Sequence, residues 1–172
     1  MKNNISLIFL LLSINSFAIS LNTVPKEIVL QNDTGGLIKD GSAWSSLMIK
    51  DKVSILFYID PDEKDTNSHF TNILKQQHFD LDKFRSIAVI NLAATWTPDF
   101  ILKGVLEKKQ EEFPNTLYVE DKKSVLVKQW NLNDDSSEIL IFNKVGKVIY
   151  YNSGKMTYNN ITKAIAIIKK NL

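Results

Sequence analysis

Four carboxylates stand within six residues at Asp60, Asp62, Glu63 and Asp65, with Pro61 between the first two. Closely spaced carboxylates can hold a hard cation through oxygen ligands or move protons as general acids and bases. A Ca²⁺ loop of the EF-hand type needs glycine at its sixth position and glutamate at its twelfth. Counted from Asp60, those positions hold Asp65 and Thr71; counted from Asp62, they hold Asn67 and Ile73. The pattern fails in both frames. The loop therefore reads as solvated, its acids complementing the positive end of a following helix, with cation binding and a catalytic carboxylate as the alternatives.

His69 and His78 are the two histidines of the chain. Nine residues apart on a helix they would be rotated by about 180° and unable to share one metal ion. Ser136 and Ser137 offer hydroxyls, but a serine nucleophile needs a base beside it, and no Gly-x-Ser-x-Gly turn is present. They read as turn residues that satisfy backbone groups ahead of a strand, followed by Glu138. Trp96, inside Thr95-Trp96-Thr97-Pro98, has two readings. One is an exposed anchor for a partner; the more ordinary is a ring packed over the end of a sheet. Gly35-Gly36 and Gly154 fit neither the phosphate-binding nor the dinucleotide-binding glycine spacing, and Lys108-Lys109 and Lys122-Lys123 read as solvated faces.

Composition narrows the chemistry further. None of the 172 residues is cysteine, so disulfides, thiolate metal sites and thiol nucleophiles are all excluded. Lys and Arg number 21 against 19 Asp and Glu, a net charge of +2 that gives no electrostatic basis for nucleic-acid binding. No motif calls for a metal or an organic cofactor. Residues 1–18 read as a secretory signal peptide, with Lys2 ahead of an apolar run over 5–14. Ser16 and Ala18 place small residues three and one before a cut, and a second possible cut follows Ser20. The run is too short to span a bilayer, so no membrane attachment is expected after cleavage. The remaining residues, 19–172, form one domain.

The elements that must position these residues follow from periodicity. Val53–Ile59 is a continuous apolar run rich in β-branched and aromatic residues, the pattern of a strand covered on both faces, and it stops at Asp60-Pro61. Residues 27–31 and 37–38, separated by Gly35-Gly36, predict an N-terminal hairpin. Apolar spacing predicts a helix over 65–78, a strand over 87–92, a helix from Pro98 and a strand over 116–119. A short helix at 125–130, a hairpin of 138–142 with 147–151, and a closing helix over 158–170 complete the order. Strands alternating with helices imply an α/β fold with a mostly parallel sheet, to which the hairpins add antiparallel strands.

This order resembles the thioredoxin fold, in which a buried strand leads into a redox Cys-x-x-Cys loop and a cis-proline precedes the closing hairpin. Here 60–65 stands at the redox-loop position without a thiol, and Ser136 or Ser137 at the proline position. Thiol–disulfide exchange requires a thiolate, which no oxygen side chain replaces. Three stretches are Val53–Ile59, Ala93-Ala94-Thr95, and 127–137, with Trp130, Leu132, Ser136 and Ser137, the last leading into 139–148. Together they are similar to the YtfJ-type family of exported bacterial proteins across 24–172. The resemblance implies a periplasmic thioredoxin-like domain: a central mixed sheet flanked by helices, with no catalytic residues to carry over. In thioredoxin-like proteins the surface around the redox loop and the cis-proline receives extended polypeptide, so a non-redox binding module is expected here, its rim comprising Asp60, Pro61, Asp62, Glu63, Asp65, Trp96, Ser136, Ser137 and Glu138. The partner expected there is an extended polypeptide or another periplasmic protein. The alternative is a carboxylate- or metal-dependent enzyme built on 60–65.

Overall fold

The computed structural model describes residues 19–172; the signal-peptide reading of 1–18 lies outside the described residues. Eight strands and four helices follow in chain order. They are β1 (Val29–Leu30), β2 (Gly35–Leu37), β3 (Trp44–Ser45), β4 (Val53–Ile59), α1 (Ser68–Lys75) and β5 (Phe84–Asn91). After these come α2 (Asp99–Glu112), β6 (Thr116–Asp121), α3 (Val125–Trp130), β7 (Ser137–Phe142), β8 (Val148–Ser153) and α4 (Tyr158–Asn171).

Six strands form one mixed sheet in the order β2-β6-β5-β4-β7-β8. β4, β5 and β6 run parallel, while β7 is antiparallel to β4, β8 to β7 and β2 to β6. The continuous apolar run of β4 is explained by its place between β5 and β7, with both faces covered. Alternation along the strand divides the core. Leu56 and Tyr58 join Ile87, Val89, Val119, Leu140 and Phe142 beneath α3 and the β1–β3 ribbon, where Trp44 and Trp130 are fully buried. Val53, Ile55 and Phe57 point to the other face, against Phe70 of α1 and Ile161, Ala164, Ile165 and Ile168 of α4. α2 extends that second layer through Leu102 and Leu106 over Ala88 and Ile90. Each such side chain removed from water contributes about 1.5–3 kcal/mol, so a domain without cross-links is held by packing.

Two expectations are corrected in detail. An N-terminal antiparallel pair is present, but β1 pairs with Trp44–Ser45, not with 37–38. Gly35-Gly36 is not a turn; it lies within β2, the edge strand on β6. The helix predicted over 65–78 is shorter. Asn67 has φ −114° and ψ 24°, outside helical values, because its side chain is held elsewhere, and His78 at φ 47° ends the segment. His78 thus lies off α1, and the opposite-face argument for the histidine pair does not apply.

Gly35 is required by contact as well as by conformation. Its φ is +129°, and a Cβ there would stand 1.9 Å from the Glu120 carbonyl oxygen. At Gly41 (φ +69°) a Cβ would meet nothing within 4 Å. Gly35→Ala is expected to cost about 2–4 kcal/mol in urea unfolding, because β2 must leave β6. Gly41→Ala should cost only about 1–2 kcal/mol, the conformational penalty alone.

Candidate functional site

β4 and β7 are in register from Ser54↔Phe142 to Ile59↔Ser137, and the Asp60 N–H continues the ladder by donating to the Ser136 carbonyl at 3.1 Å. This brings the acidic loop face to face with the turn before β7, as the thioredoxin-like reading requires. The loop is more closed than the sequence implies. Asp60 is buried, and its Oδ1 accepts the Asp62 N–H at 2.8 Å, capping the single 3-10 turn Pro61–Glu63. Glu63 accepts the Thr66 hydroxyl. Asp62 and Asp65 remain exposed, so the solvated reading holds for them and not for Asp60. Burial pushes the Asp60 carboxyl above the usual carboxylate range against the Asp62 N–H, and the charges of Asp62, Asp135 and Glu63 add to the rise.

Asn67, which sequence reasoning passed over, ties this loop down. Its amide donates to Ser137 Oγ (3.0 Å) and the Gly154 carbonyl (3.1 Å), and its oxygen accepts the Met156 N–H (2.9 Å). One buried side chain thus joins the loop, the start of β7 and the β8–α4 connection. Beside it, His69 Nε2 donates to the Met156 carbonyl at 2.9 Å and its ring meets Tyr158 edge-on.

Ser137 and Glu138 face inward and are buried, which removes them and Asp60 from any open rim. The Glu138 carboxylate accepts from the Tyr151 hydroxyl (2.5 Å), Ser153 Oγ (2.7 Å) and Asn133 Nδ2 (3.3 Å). Burial and this carboxylate hold the Tyr151 phenol above its ordinary pKa. Another buried carboxylate, Asp121, accepts the N–H groups of Lys123, Val125 and Leu126 at the start of α3 and the Tyr58 hydroxyl at 3.2 Å. At the end of β5, Asn91 donates to Asp134 (2.5 Å) and accepts from Ser124 Oγ (3.0 Å). Asp121 carried a readable signal, an acid shortly before an apolar helical run. Asn91 and Tyr58 carried none.

Trp96 behaves oppositely. It is fully exposed (102%) in the loop leaving the carboxyl end of β5, so the more ordinary packed reading fails. Phe100 (77%), Ile101 and Val105 are exposed on α2 as well, the last two four residues apart on one side of the helix. Among the described residues no hydrogen bond or ring pairing joins Trp96 to the acidic loop. The polar groove of about 380 Å³ between the 35–41 segment, Lys103, Glu107 and Lys122 includes none of the rim residues.

The loop is a 3-10 turn capped by Asp60. Among the described residues no three His, Cys, Asp or Glu side chains converge where a metal ion would sit, and carboxylate- or metal-dependent catalysis on 60–65 is not favoured. No cis peptide bond occurs among the described residues, so Ser136 and Ser137 do not reproduce the proline landmark.

A parallel strand delivering a capped loop opposite an antiparallel hairpin, with oxygen side chains where sulfur would act, defines a thiol-free thioredoxin-like protein. The chain belongs to the family described as bacterial protein of unknown function (YtfJ_HI0045), whose model matches residues 19–171. It is 29% identical over 129 residues to an uncharacterized protein of Haemophilus influenzae, covering 73% of this chain and 70% of that one. To the uncharacterized protein YtfJ of Escherichia coli it is 21% identical over 146 residues, covering 80% and 79%. Its fold matches a thiol-disulfide isomerase of Corynebacterium glutamicum with a TM-score of 0.57 at 13% identity, over 84% of this chain and 96% of that one.

Two outcomes test the site. Asn67→Ala removes the partner of the buried Met156 N–H and of the Ser137 hydroxyl, while the Gly154 carbonyl keeps the Asn152 amide, and should cost about 2–4 kcal/mol in urea unfolding. Asp60→Asn keeps an acceptor for the Asp62 N–H. Because the folded pKa of Asp60 lies above the unfolded one, its stabilising contribution is complete in acid and is lost as pH rises through the folded value. Asp60→Asn should therefore melt higher than the wild type at neutral pH, with the gap closing below roughly pH 4.

Proposed function

We propose that the chain is an exported, non-redox binding module that receives an extended polypeptide on the surface opened by Trp96. The observation that carries this reading is the contrast between that side chain and its surroundings. Polar groups at the carboxyl end of the sheet are turned inward and satisfied, whereas the largest apolar side chain type is presented wholly to solvent. Large apolar side chains held out in solvent mark interaction sites, and aromatic anchors dominate binding energies. Exposed Asp62 and Asp65 supply a polar margin on the loop of β4. The absence of cysteine from a thioredoxin-like scaffold leaves contact as its available mode of action toward polypeptides.

Export rests on the pattern of residues 1–18, and the periplasm is the compartment proposed. No helix among the described residues is long and apolar enough to cross a membrane.

Fluorescence gives a direct test, because Trp44 and Trp130 are fully buried and Trp96 is the third tryptophan. Titration with a reduced, carboxymethylated unfolded polypeptide should shift the emission to the blue and protect it from acrylamide. Trp96→Ala should abolish that signal and weaken binding at least tenfold, about 1.4 kcal/mol. Binding of equal strength by Trp96→Ala, or none by the wild type, overturns the reading.

A further inference from the structure

The first described residues are built into the core. The Ile19 N–H donates to the Trp130 carbonyl at 3.0 Å, and the Ile19 side chain packs against the cluster that contains Trp44, Leu126 and Trp130. Trp130 is the last residue of α3, so its carbonyl has no partner within the helix. The same segment grips that tryptophan again, because its indole Nε1 donates to the Lys26 carbonyl at 2.7 Å while Lys26 Nζ donates to Gln129 Oε1 at 2.9 Å. Asn22 and Thr23 then stitch it to β8, through Asn22 N–H to the Val148 carbonyl (2.7 Å) and Val148 N–H to the Thr23 carbonyl (2.9 Å). Residues 19–26 are thus a strap across the end of α3 and the start of β8.

We infer that the chain is processed between Ala18 and Ile19, and that the α-ammonium released there docks on the Trp130 carbonyl as the strap's first anchor. The inference rests on the export reading above. In the cleavage, water adds across the Ala18–Ile19 amide under a peptidase that reads small residues before the cut. The C–N bond breaks, the water oxygen joins the Ala18 carbonyl carbon as a carboxylate, and the Ile19 nitrogen leaves as an amine protonated at neutral pH. An ammonium in place of an amide N–H strengthens the contact, since it is charge-assisted and meets the negative end of a helix.

The competing cut after Ser20 removes what the fold uses. It deletes the Ile19 bond and the Ile19 side chain from the core, and it takes away the Ser20 carbonyl that accepts both the Thr23 hydroxyl (2.7 Å) and the Thr23 N–H (3.4 Å). A cut after Ala18 leaves each of these in place.

Three measurements decide the matter. The full chain is produced in a bacterium, and the protein is purified and its N-terminus sequenced. Ile19 as the first residue supports the inference; Leu21 overturns it while leaving export standing; an intact Met1 overturns export and the inference together. Purified chains beginning at Ile19 and at Leu21 are then melted side by side. The shorter should unfold roughly 2–4 °C lower, and equal midpoints refute the anchor. Finally, an amine-directed acylating reagent should modify the Ile19 amine several-fold more slowly in the folded chain than in urea. Equal rates would mean that the ammonium is free.

Discussion

Polar groups at the carboxyl end of a buried sheet have no water to turn to, and each must find its partner inside the protein. In this chain the three parallel strands β4, β5 and β6 lead to or end in a buried polar side chain, Asp60, Asn91 and Asp121 respectively. Each is answered locally. Asp60 caps its own turn, Asp121 caps α3, and Asn91 is held between Ser124 and Asp134. The loops at this end are therefore set by hydrogen-bond satisfaction as much as by apolar packing.

The consequence is a thioredoxin-like frame whose customary reactive corner is sealed. Register between β4 and β7 fixes the distance from the acidic loop to the Ser136 turn, and Asn67 locks both to the β8–α4 connection. Such a corner is stiff, because moving the loop would expose several unpaired buried groups at once. Glu138 extends the same logic to the far side of β7, where three neutral donors surround one carboxylate. A buried carboxylate is tolerated only with such a shell, and it confers specificity on the arrangement of the turn around it.

Against this inward-facing polarity, the outer side of α2 stands out. Leu102 and Leu106 hold the helix to the sheet, yet Phe100, Ile101 and Val105 remain on the solvent side with Trp96 leading into them. The helix thus carries apolar residues on more of its circumference than packing on one sheet face needs. The weight of a functional reading therefore falls on this surface and on the thiol-free loop.

The α/β class, the central position of Val53–Ile59, the closing hairpin and the final helix were legible in the residues themselves, because strand and helix periodicity are local properties. The loss of sulfur chemistry was legible with even more certainty, being a matter of composition. Other features depended on partners distant in the chain. Gly35-Gly36 reads as a turn until β6, more than eighty residues away, claims it as an edge strand. Asn67 reads as an unremarkable helical residue until Ser137, Gly154 and Met156 arrive beside it. Burial of Asp60 and Glu138 and full exposure of Trp96 run against the averages for their residue types, since a side chain's environment is set by which strands and loops surround it in space. Local pattern determined the elements; only tertiary contact decided which polar groups lie inside and which aromatic ring faces water.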